Sequence, residues 1–207
     1  MDERRTPETV EGGTVRDEDW YGDDLGAVHH VGTTFVDVDL SETSTAGAHF
    51  SECVFRSCRF NSSTHVASAF VACTFEGAAF FDATFDGCKL TGSVFTRCTL
   101  RPLRVLGGQW GGVTIRGTNL SKLDLTGVDL READLSLSNL TGSVLRDCRL
   151  DGASLRETDL GGADLRGASL SGVDLTTARL RETRLDLPGA VLLAELSGAV
   201  VDMGALG

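Results

Sequence analysis

The chain has 207 residues, of which 30 are acidic and 19 are basic, so its formal net charge at pH 7 is −11. No apolar run approaches the roughly 20 residues of a membrane-spanning helix, and the N-terminus lacks the hydrophobic segment of a signal peptide. The acidic balance argues against a general binder of nucleic acid or anionic membranes, because Lys and Arg supply phosphate contacts. With 41% hydrophobic residues, the chain is expected to be a folded cytoplasmic protein.

Residues 1–9 are polar and are predicted to form a disordered tail. A five-residue repeat is predicted to occupy residues 10–187. From Leu25 to Leu185, every fifth residue is Phe or Leu at 27 of 33 positions, and three more positions hold Val105, Trp110 and Ile115. The exceptions are His30, Thr45 and His65. Phe81 is the one phenylalanine of the ten that lies outside this phase.

The other positions of the repeat are selective too. Two residues before the apolar centre, the chain holds mostly Ala, Cys, Ser, Thr, Val or Gly, and all six cysteines occupy this position. The residue between is usually polar, and Gly is frequent two places after the centre. The unit is therefore small–polar–Leu/Phe–polar–Gly/polar, as in ADLRG at 163–167.

A period of five fits neither regular secondary structure. An α-helix would turn the apolar residue through about 500° per repeat and distribute Leu around the whole helix. A flat strand has a period of two. In a solenoid, by contrast, each pentapeptide forms one side of a coil, and identical side chains stack from coil to coil into a continuous core.

This pattern resembles that of the pentapeptide-repeat proteins, whose motif is A(D/N)LXX, over nearly the whole chain. The resemblance implies an all-β solenoid, a right-handed quadrilateral β-helix with about 20 residues per coil and about eight to nine coils. The stretches GSVFTRCTLRPL (92–103), LSKLDLTGVDLREADL (120–135) and GGADLRGASLSG (161–172) are similar to the mycobacterial fluoroquinolone-resistance branch. The more distant Qnr proteins carry loops, for which the unbroken phase here leaves no room.

One irregularity is expected near the middle of the chain. Pro102 lacks an N–H for a ladder, and Val105, Trp110 and Ile115 replace Leu in a Gly-rich segment. We expect a kink or a change of coil shape around 102–115. The GGQWGG run within it lacks the Lys and Ser/Thr of a phosphate-binding loop.

Two polar features fall inside the predicted core. With 20 residues per coil, Thr45 and His65 stack one coil apart, next to Phe85, and are expected to be hydrogen-bonded. A metal site there lacks a third ligand. The cysteine spacings are multiples of five because the repeat imposes them, so buried free thiols are favoured over disulfides or a metal site.

After Leu185 the phase slips by one residue. Residues 188–207 form either a last apolar coil or a short helix over it, and they hold only Glu195 and Asp202 as charges. The family resemblance implies that this capping segment mediates a homodimer. The candidate dimer residues are Val191, Leu192, Leu196, Val201, Met203 and Leu206.

Neither catalytic motifs nor paired carboxylates point to an enzyme, and no cofactor or metal is expected. The resemblance implies a DNA mimic that binds DNA gyrase and protects it from fluoroquinolones or a natural-product poison, and the acidic charge agrees with it. The alternative is a scaffold with a different protein partner. The candidate partner-facing residues are Asp124, Asp129, Asp134, Asp159, Asp164 and Asp174. Each could instead lie on a solvated face or hydrogen-bond the adjacent turn.

Overall fold

A computed structural model describes residues 9–202, which form an all-β solenoid followed by one helix. The predicted tail therefore lies outside the described residues, except for Thr9, which begins the first strand. The elements are β1 (Thr9–Glu11), β2 (Thr14–Arg16), β3 (Asp24–Gly26), β4 (His29–Val31), β5 (Thr34–Val36), β6 (Ser44–Ala46), β7 (His49–Ser51), β8 (Val54–Arg56), β9 (Thr64–Val66), β10 (Ala69–Val71), β11 (Thr74–Glu76), β12 (Ala83–Asp86), β13 (Val94–Thr96), β14 (Leu103–Leu106) and α1 (Leu187–Leu196).

The strands form three parallel sheets in which each strand pairs with the strand 20 residues away. The strand orders are β1-β4-β7-β10, β2-β5-β8-β11-β13 and β3-β6-β9-β12-β14. Phe55, for example, pairs with Phe35 on one side and Phe75 on the other. A fourth ladder consists of isolated bridges such as Asp19 to Asp39. One coil therefore takes 20 residues, which the resemblance predicted.

The extended sheets end at Leu106, inside the segment where the sequence predicts a change of coil shape. From there to residue 186, the described chain pairs only through isolated bridges, such as Gln109 to Asp129 and Asp164 to Arg184. The 20-residue register continues through the change. The 20-residue register is thus kept beyond Leu106, while the chain no longer forms extended strands.

The apolar centres point inward and stack along the solenoid. The rings of Phe35, Phe55, Phe75 and Phe95 are nearly parallel, with centroids 4.7, 5.0 and 4.6 Å apart. Leucines continue the core in the second half. Burying each such side chain contributes about 1.5–3 kcal/mol, so the core grows coil by coil. The six cysteines are free thiols on the inner side, and five of them are buried.

The polar pair in the core is hydrogen-bonded, as the sequence predicts. Thr45 Oγ1 lies 2.8 Å from Nδ1 of His65, and Ser63 Oγ lies 3.0 Å from its Nε2. Ser68 Oγ completes the cluster at 2.9 Å from Thr45 Oγ1. Burial lowers the pKa of His65 to about 3, so the imidazole is neutral at pH 7.

Beyond Leu185 the structure has a helix rather than another coil. Asp186 is the N-cap of α1, because its Oδ1 accepts a hydrogen bond from the Gly189 N–H at 3.1 Å. Leu192 and Leu196 pack partly buried against the end of the core. No helix within residues 9–202 is long and apolar enough to cross a membrane.

Gly108 is the glycine that the fold requires most clearly. Its φ is +114°, and a Cβ there would lie 2.5 Å from the carbonyl oxygen of Cys88 in the preceding coil. Neighbouring Gly107 has a φ of +63° and nothing within 4 Å of its Cβ position. Of these two consecutive glycines, Gly108 is thus the one that allows a close contact between the backbones of neighbouring coils.

Replacing Gly108 with Ala is expected to lower the free energy of unfolding by roughly 2–4 kcal/mol, because the new Cβ overlaps the Cys88 carbonyl. Gly107→Ala is the matched control and is expected to lose about 1 kcal/mol from its positive φ alone. Urea denaturation followed by circular dichroism measures both. Equal losses would contradict the close-contact explanation.

The buried imidazole of His65 makes stability depend on pH. Its folded-state pKa, about 3, lies below the unfolded value near 6.5, so its contribution is complete above pH 6.5 and is lost as pH falls towards 3. Between pH 7.5 and 5.0, this residue is expected to remove about 2 kcal/mol. Denaturation of the wild type and of a Thr45→Val/His65→Phe variant at both pH values measures the difference. Parallel losses in the two proteins would show that His65 is not the group responsible.

Candidate protein-binding surface

Outward side chains come from the residue before each apolar centre, the residue after it, and the corner residue two places after it. Strand pairing places equivalent residues of successive coils above one another. At a strand spacing of about 4.8 Å, each outward position forms a ladder along the solenoid. The surface is thus a set of regular rows, and its function depends on which side chains fill them.

The six predicted partner-facing aspartates precede the apolar centre, and all of them hold the adjacent turn. In each, Oδ1 accepts a hydrogen bond from the backbone N–H two residues later, at 2.8–3.3 Å. These bonds are the turn contacts that the sequence offered as the alternative to partner binding. The residues are Asp124, Asp129, Asp134, Asp159, Asp164 and Asp174.

Arginine side chains also bind several of these carboxylates. Arg166 donates to both carboxylate oxygens of buried Asp164, and this contact holds the pKa of that carboxyl far below its ordinary value. Arg131 binds Asp129 in the same bidentate way and lowers its pKa. Asp124 and Asp174 are exposed, with no Lys or Arg nitrogen within 4 Å in the described residues.

The structure does not bring the six aspartates together on one face. Asp124 and Asp164 share a ladder, two coils apart with Val144 between them, as the sequence predicts. Asp129 pairs with Arg149, and Asp159 pairs with Asn139 and Arg179 on other ladders. The aspartates therefore form no continuous acidic stripe.

The corner positions hold a second set of carboxylates that the sequence analysis missed. Within residues 9–202, sixteen residues other than Gly have a positive φ, all at corners, and nine of them are acidic. They are Asp17, Asp37, Glu42, Glu52, Asp82, Glu132, Asp147, Glu157 and Glu182. The signal was present, because Gly, Asp and Glu are the commonest residues at this position of the repeat.

A carboxylate at such a corner does not stabilise the backbone. Residues with a Cβ are disfavoured by about 1–2 kcal/mol in the left-handed conformation, which Gly adopts freely. Gly32 and Gly47 show that this solenoid accepts Gly at equivalent corners. Asp is tolerated there more easily than Glu, yet five of the nine are glutamates. Ser57 and Ala67 bear the same cost at equivalent corners, so what distinguishes the nine carboxylates is their exposed negative charge.

Negative charge is concentrated in the first half of the solenoid. Residues 9–86 hold 13 acidic and three basic side chains. Among those 13 carboxylates, only Asp39 and Glu76 lie within 4 Å of a basic group in the described structure. Hydrogen bonding from Arg59 lowers the pKa of Asp39 to about 2. The other carboxylates of this region lack such neutralising partners.

The surface depressions are shallow grooves. One of them, about 400 Å³ in volume, is lined by Glu157, Asp159 and Arg179 among others. Within residues 9–202, no group of three or more His, Cys, Asp or Glu side chains is arranged to hold a metal ion. The regular rows of side chains therefore suit contact with a macromolecule better than enclosure of a small ligand.

Solved structures with similar folds are pentapeptide-repeat proteins. A trypsin-treated variant of QnrB1, a plasmid-mediated fluoroquinolone resistance protein, is 16% identical, with 93% of this chain and 100% of that chain covered and a TM-score of 0.50. HetL, a pentapeptide-repeat protein involved in heterocyst differentiation regulation in the cyanobacterium Nostoc, is 21% identical over 84% of this chain and 86% of that one, with a TM-score of 0.49. At such identities the likeness shows the fold alone. Curated protein sequences gave no match.

The sequence itself matches the family model for pentapeptide repeats, with eight copies. The matched residues are 35–64, 68–101, 112–147 and 148–186, which make up more than half of the chain. Proteins built on this solenoid are generally structural or binding scaffolds. The chain belongs to the pentapeptide-repeat family.

Proposed function

We propose that this protein binds DNA gyrase as a DNA mimic and protects the enzyme from fluoroquinolones or a natural-product gyrase poison. The observation that carries the proposal is the set of nine exposed corner carboxylates, five of which lie in the acidic first half of the solenoid, residues 9–86. They stand in for phosphates against the Lys and Arg side chains of a DNA-binding surface. The resemblance of 92–103, 120–135 and 161–172 to the mycobacterial protein MfpA supports this branch of the family.

Displacing DNA from gyrase lowers the number of cleavage complexes on which such drugs act. Destabilising a complex that has already formed would release the bound drug. Both routes need an electrostatic contact that competes with DNA. The unneutralised carboxylates of residues 9–86 are best suited to it, because the aspartates of the second half are largely engaged with turns and arginines.

The proposal includes the finer architecture implied by the family. The solenoid is a right-handed quadrilateral β-helix of about eight to nine coils, with residues 188–207 as a capping and dimerisation segment. Four ladders and the 20-residue register support this arrangement. The protein acts in the cytoplasm, where gyrase is found, without direct binding to nucleic acid.

A homodimer through the C-terminal end would lengthen the acidic rod. Of the predicted dimer residues, Val191, Leu192, Leu196 and Val201 are half-buried, while Met203 and Leu206 lie outside the described residues. Leu187 and Val200 expose 65% and 97% of their surface at the same end. Exposed apolar side chains at the end of a solenoid favour a partner there.

The second candidate function is a scaffold for a different protein partner. The pairing of Asp129 and Asp164 with arginines favours it, because these aspartates then serve the fold rather than imitate phosphates. Gyrase assays separate the two functions.

Changing three acidic corners to Gly is expected to weaken inhibition of gyrase supercoiling by about three- to tenfold, because it removes three carboxylates from the contact with the enzyme, while Gly fits the backbone of these corners. The variant is Asp37→Gly/Glu42→Gly/Glu52→Gly. Supercoiling and drug-induced cleavage are titrated with the protein at two salt concentrations, with and without ciprofloxacin. The wild type is expected to inhibit less at the higher salt concentration.

The matched control is Ser57→Gly/Ser62→Gly/Ala67→Gly, which relieves strain at three equivalent corners without changing charge. It is expected to inhibit as the wild type does. A third variant, Asp124→Asn/Asp159→Asn, removes charge from predicted partner-facing residues and keeps the turn acceptor, as Asn139 does at the same position. Wild-type protein with no effect on gyrase at high excess would favour the scaffold function.

Light scattering at micromolar concentration is expected to give twice the mass of one chain. Val200→Glu places a charge in the apolar end and is expected to shift the mass to that of a monomer. Leu106→Glu, at an exposed apolar residue elsewhere on the solenoid, is the control and should remain dimeric. A monomeric wild type would remove the dimer from the proposal.

A further inference from the structure

The middle of the solenoid has the opposite charge from the rest. Residues 87–123 hold six basic side chains and no acidic one, in a chain whose net charge is −11. The six are Lys89, Arg97, Arg101, Arg104, Arg116 and Lys122. A uniform imitation of DNA would have no such segment. This part of the surface therefore needs a separate explanation.

One face of the solenoid combines this charge with an exposed aromatic ring. The residues that follow the apolar centres there are Asn61, Phe81, Arg101, Ser121 and Thr141, spaced 20 apart. We call this row and its two corners the Phe81 face. Phe81 exposes 56% of its surface, whereas the other nine phenylalanines are buried in the core.

Hydrogen bonds hold this row in place. The Phe81 N–H donates to Asn61 Oδ1 at 3.1 Å, and its carbonyl accepts from the Ser62 N–H at 2.7 Å. Arg101 donates from Nη1 to Ser121 Oγ at 2.8 Å and to Asn119 Oδ1 at 3.3 Å. The backbone of Phe81 and the guanidinium of Arg101 are thus held by hydrogen bonds on neighbouring coils.

The corners of the Phe81 face carry further cations. Arg97 lies at one corner, and Arg116 directly precedes Gly117, the same corner one coil on. Their side chains are 72% and 48% exposed, and each has one carboxylate partner. Lys122 lies at the other corner, with no carboxylate within 4 Å in the described residues. From residue 77 to residue 123, the Phe81 face has one acidic side chain, Asp82.

This composition is that of a protein-binding hot spot. Aromatic residues and Arg are enriched at the centre of protein interfaces, while Asp and Glu are depleted there. Sites for single-stranded nucleic acid use several aromatic rings, on which successive bases stack. The other exposed ring on this row in the described residues, Tyr21, lies three coils from Phe81, about 14 Å away and too far for successive bases to stack on both. The acidic remainder of the chain also repels a long polyanion. A protein partner fits the observations better than a nucleic acid.

A periodic surface also creates a problem of register. Because the outward positions recur coil after coil, a contact made through net negative charge alone could shift by one coil, about 4.8 Å, with little change in energy. An exposed phenylalanine ring at one position of the solenoid reduces this ambiguity. Arg101 on the next coil adds a directed charge beside it.

We propose that Phe81 and Arg101 anchor the protein on its partner, in an apolar pocket rimmed by carboxylates, and so fix the position of the rod along the partner surface. This inference rests on the proposed function in taking DNA gyrase as that partner. The acidic corners then bring the two proteins together, and the Phe81 face sets their register.

The experiment measures the affinity of the full-length protein for DNA gyrase by biolayer interferometry. Phe81→Ser and Arg101→Ser are tested singly and together, since Ser41 and Ser121 occupy the same position in other coils. The matched control is Leu106→Ser/Arg156→Ser, which removes an exposed apolar and an exposed basic side chain elsewhere. Thermal unfolding checks that each variant is folded.

The double variant is expected to bind gyrase at least tenfold more weakly, mainly through faster dissociation, with the control within twofold of the wild type. Wild-type binding that the double variant retains would overturn the anchor and leave the proposed function standing. A wild type that does not bind gyrase would overturn both. A labelled single-stranded oligonucleotide is the second probe, and its Phe81-dependent binding would replace the protein partner with a nucleic acid.

Discussion

The structure depends on one constraint, that every residue lies beside its equivalent 20 positions away. Parallel pairing such as Phe35 with Phe55 and Phe55 with Phe75 imposes it through the backbone. Once it holds, identical apolar centres stack, and a core forms that no single coil could bury. A polar side chain in this core needs a hydrogen-bond partner, which a neighbouring coil can supply. Thr45 and His65 show this, because the polar side chain in one coil meets a partner in the next.

The same constraint forces a turn at every fifth residue and leaves the outward side chains as the free variables. A corner needs the left-handed conformation, for which Gly is the least strained residue. Acidic residues at nine corners therefore oppose local backbone preference. Side chains that precede the apolar centre behave differently, because an Asp there bonds the turn that follows, as Asp174 does with the Thr176 N–H. One repeat thus produces two sets of carboxylates. Those before the apolar centre stabilise the adjacent turn, and those at the corners adopt a backbone conformation that favours Gly.

The five-residue phase was enough to predict the solenoid and the inward centres, because side-chain stacking follows from period alone. With the 20-residue coil length that the family resemblance implies, it also predicted the hydrogen bond between Thr45 and His65. The end of the sheets at Leu106 could be located but not described, because backbone shape depends on contacts such as Gly108 against Cys88. The arginine pairs of Asp129 and Asp164 were beyond prediction, because side-chain rotamers decide which neighbour a carboxylate meets. For the same reason, the sequence could not show how the six candidate partner-facing aspartates bind turns and arginines, and their contact with a partner stays a prediction.

A repeat that builds a rod makes its surface uniform, and uniformity limits recognition. Net negative charge on the solenoid brings a partner close quickly, but charge alone distinguishes poorly between positions one coil apart. Specific binding must then come from residues that break the pattern. In this chain the breaks coincide, because Phe81 leaves the apolar phase one coil before Arg101 and just ahead of the acid-free segment 87–123. Departures from the repeat are tolerated on the outside because they leave the stacked core intact. It is there, rather than in the regular positions, that a solenoid of this kind can distinguish one partner from another.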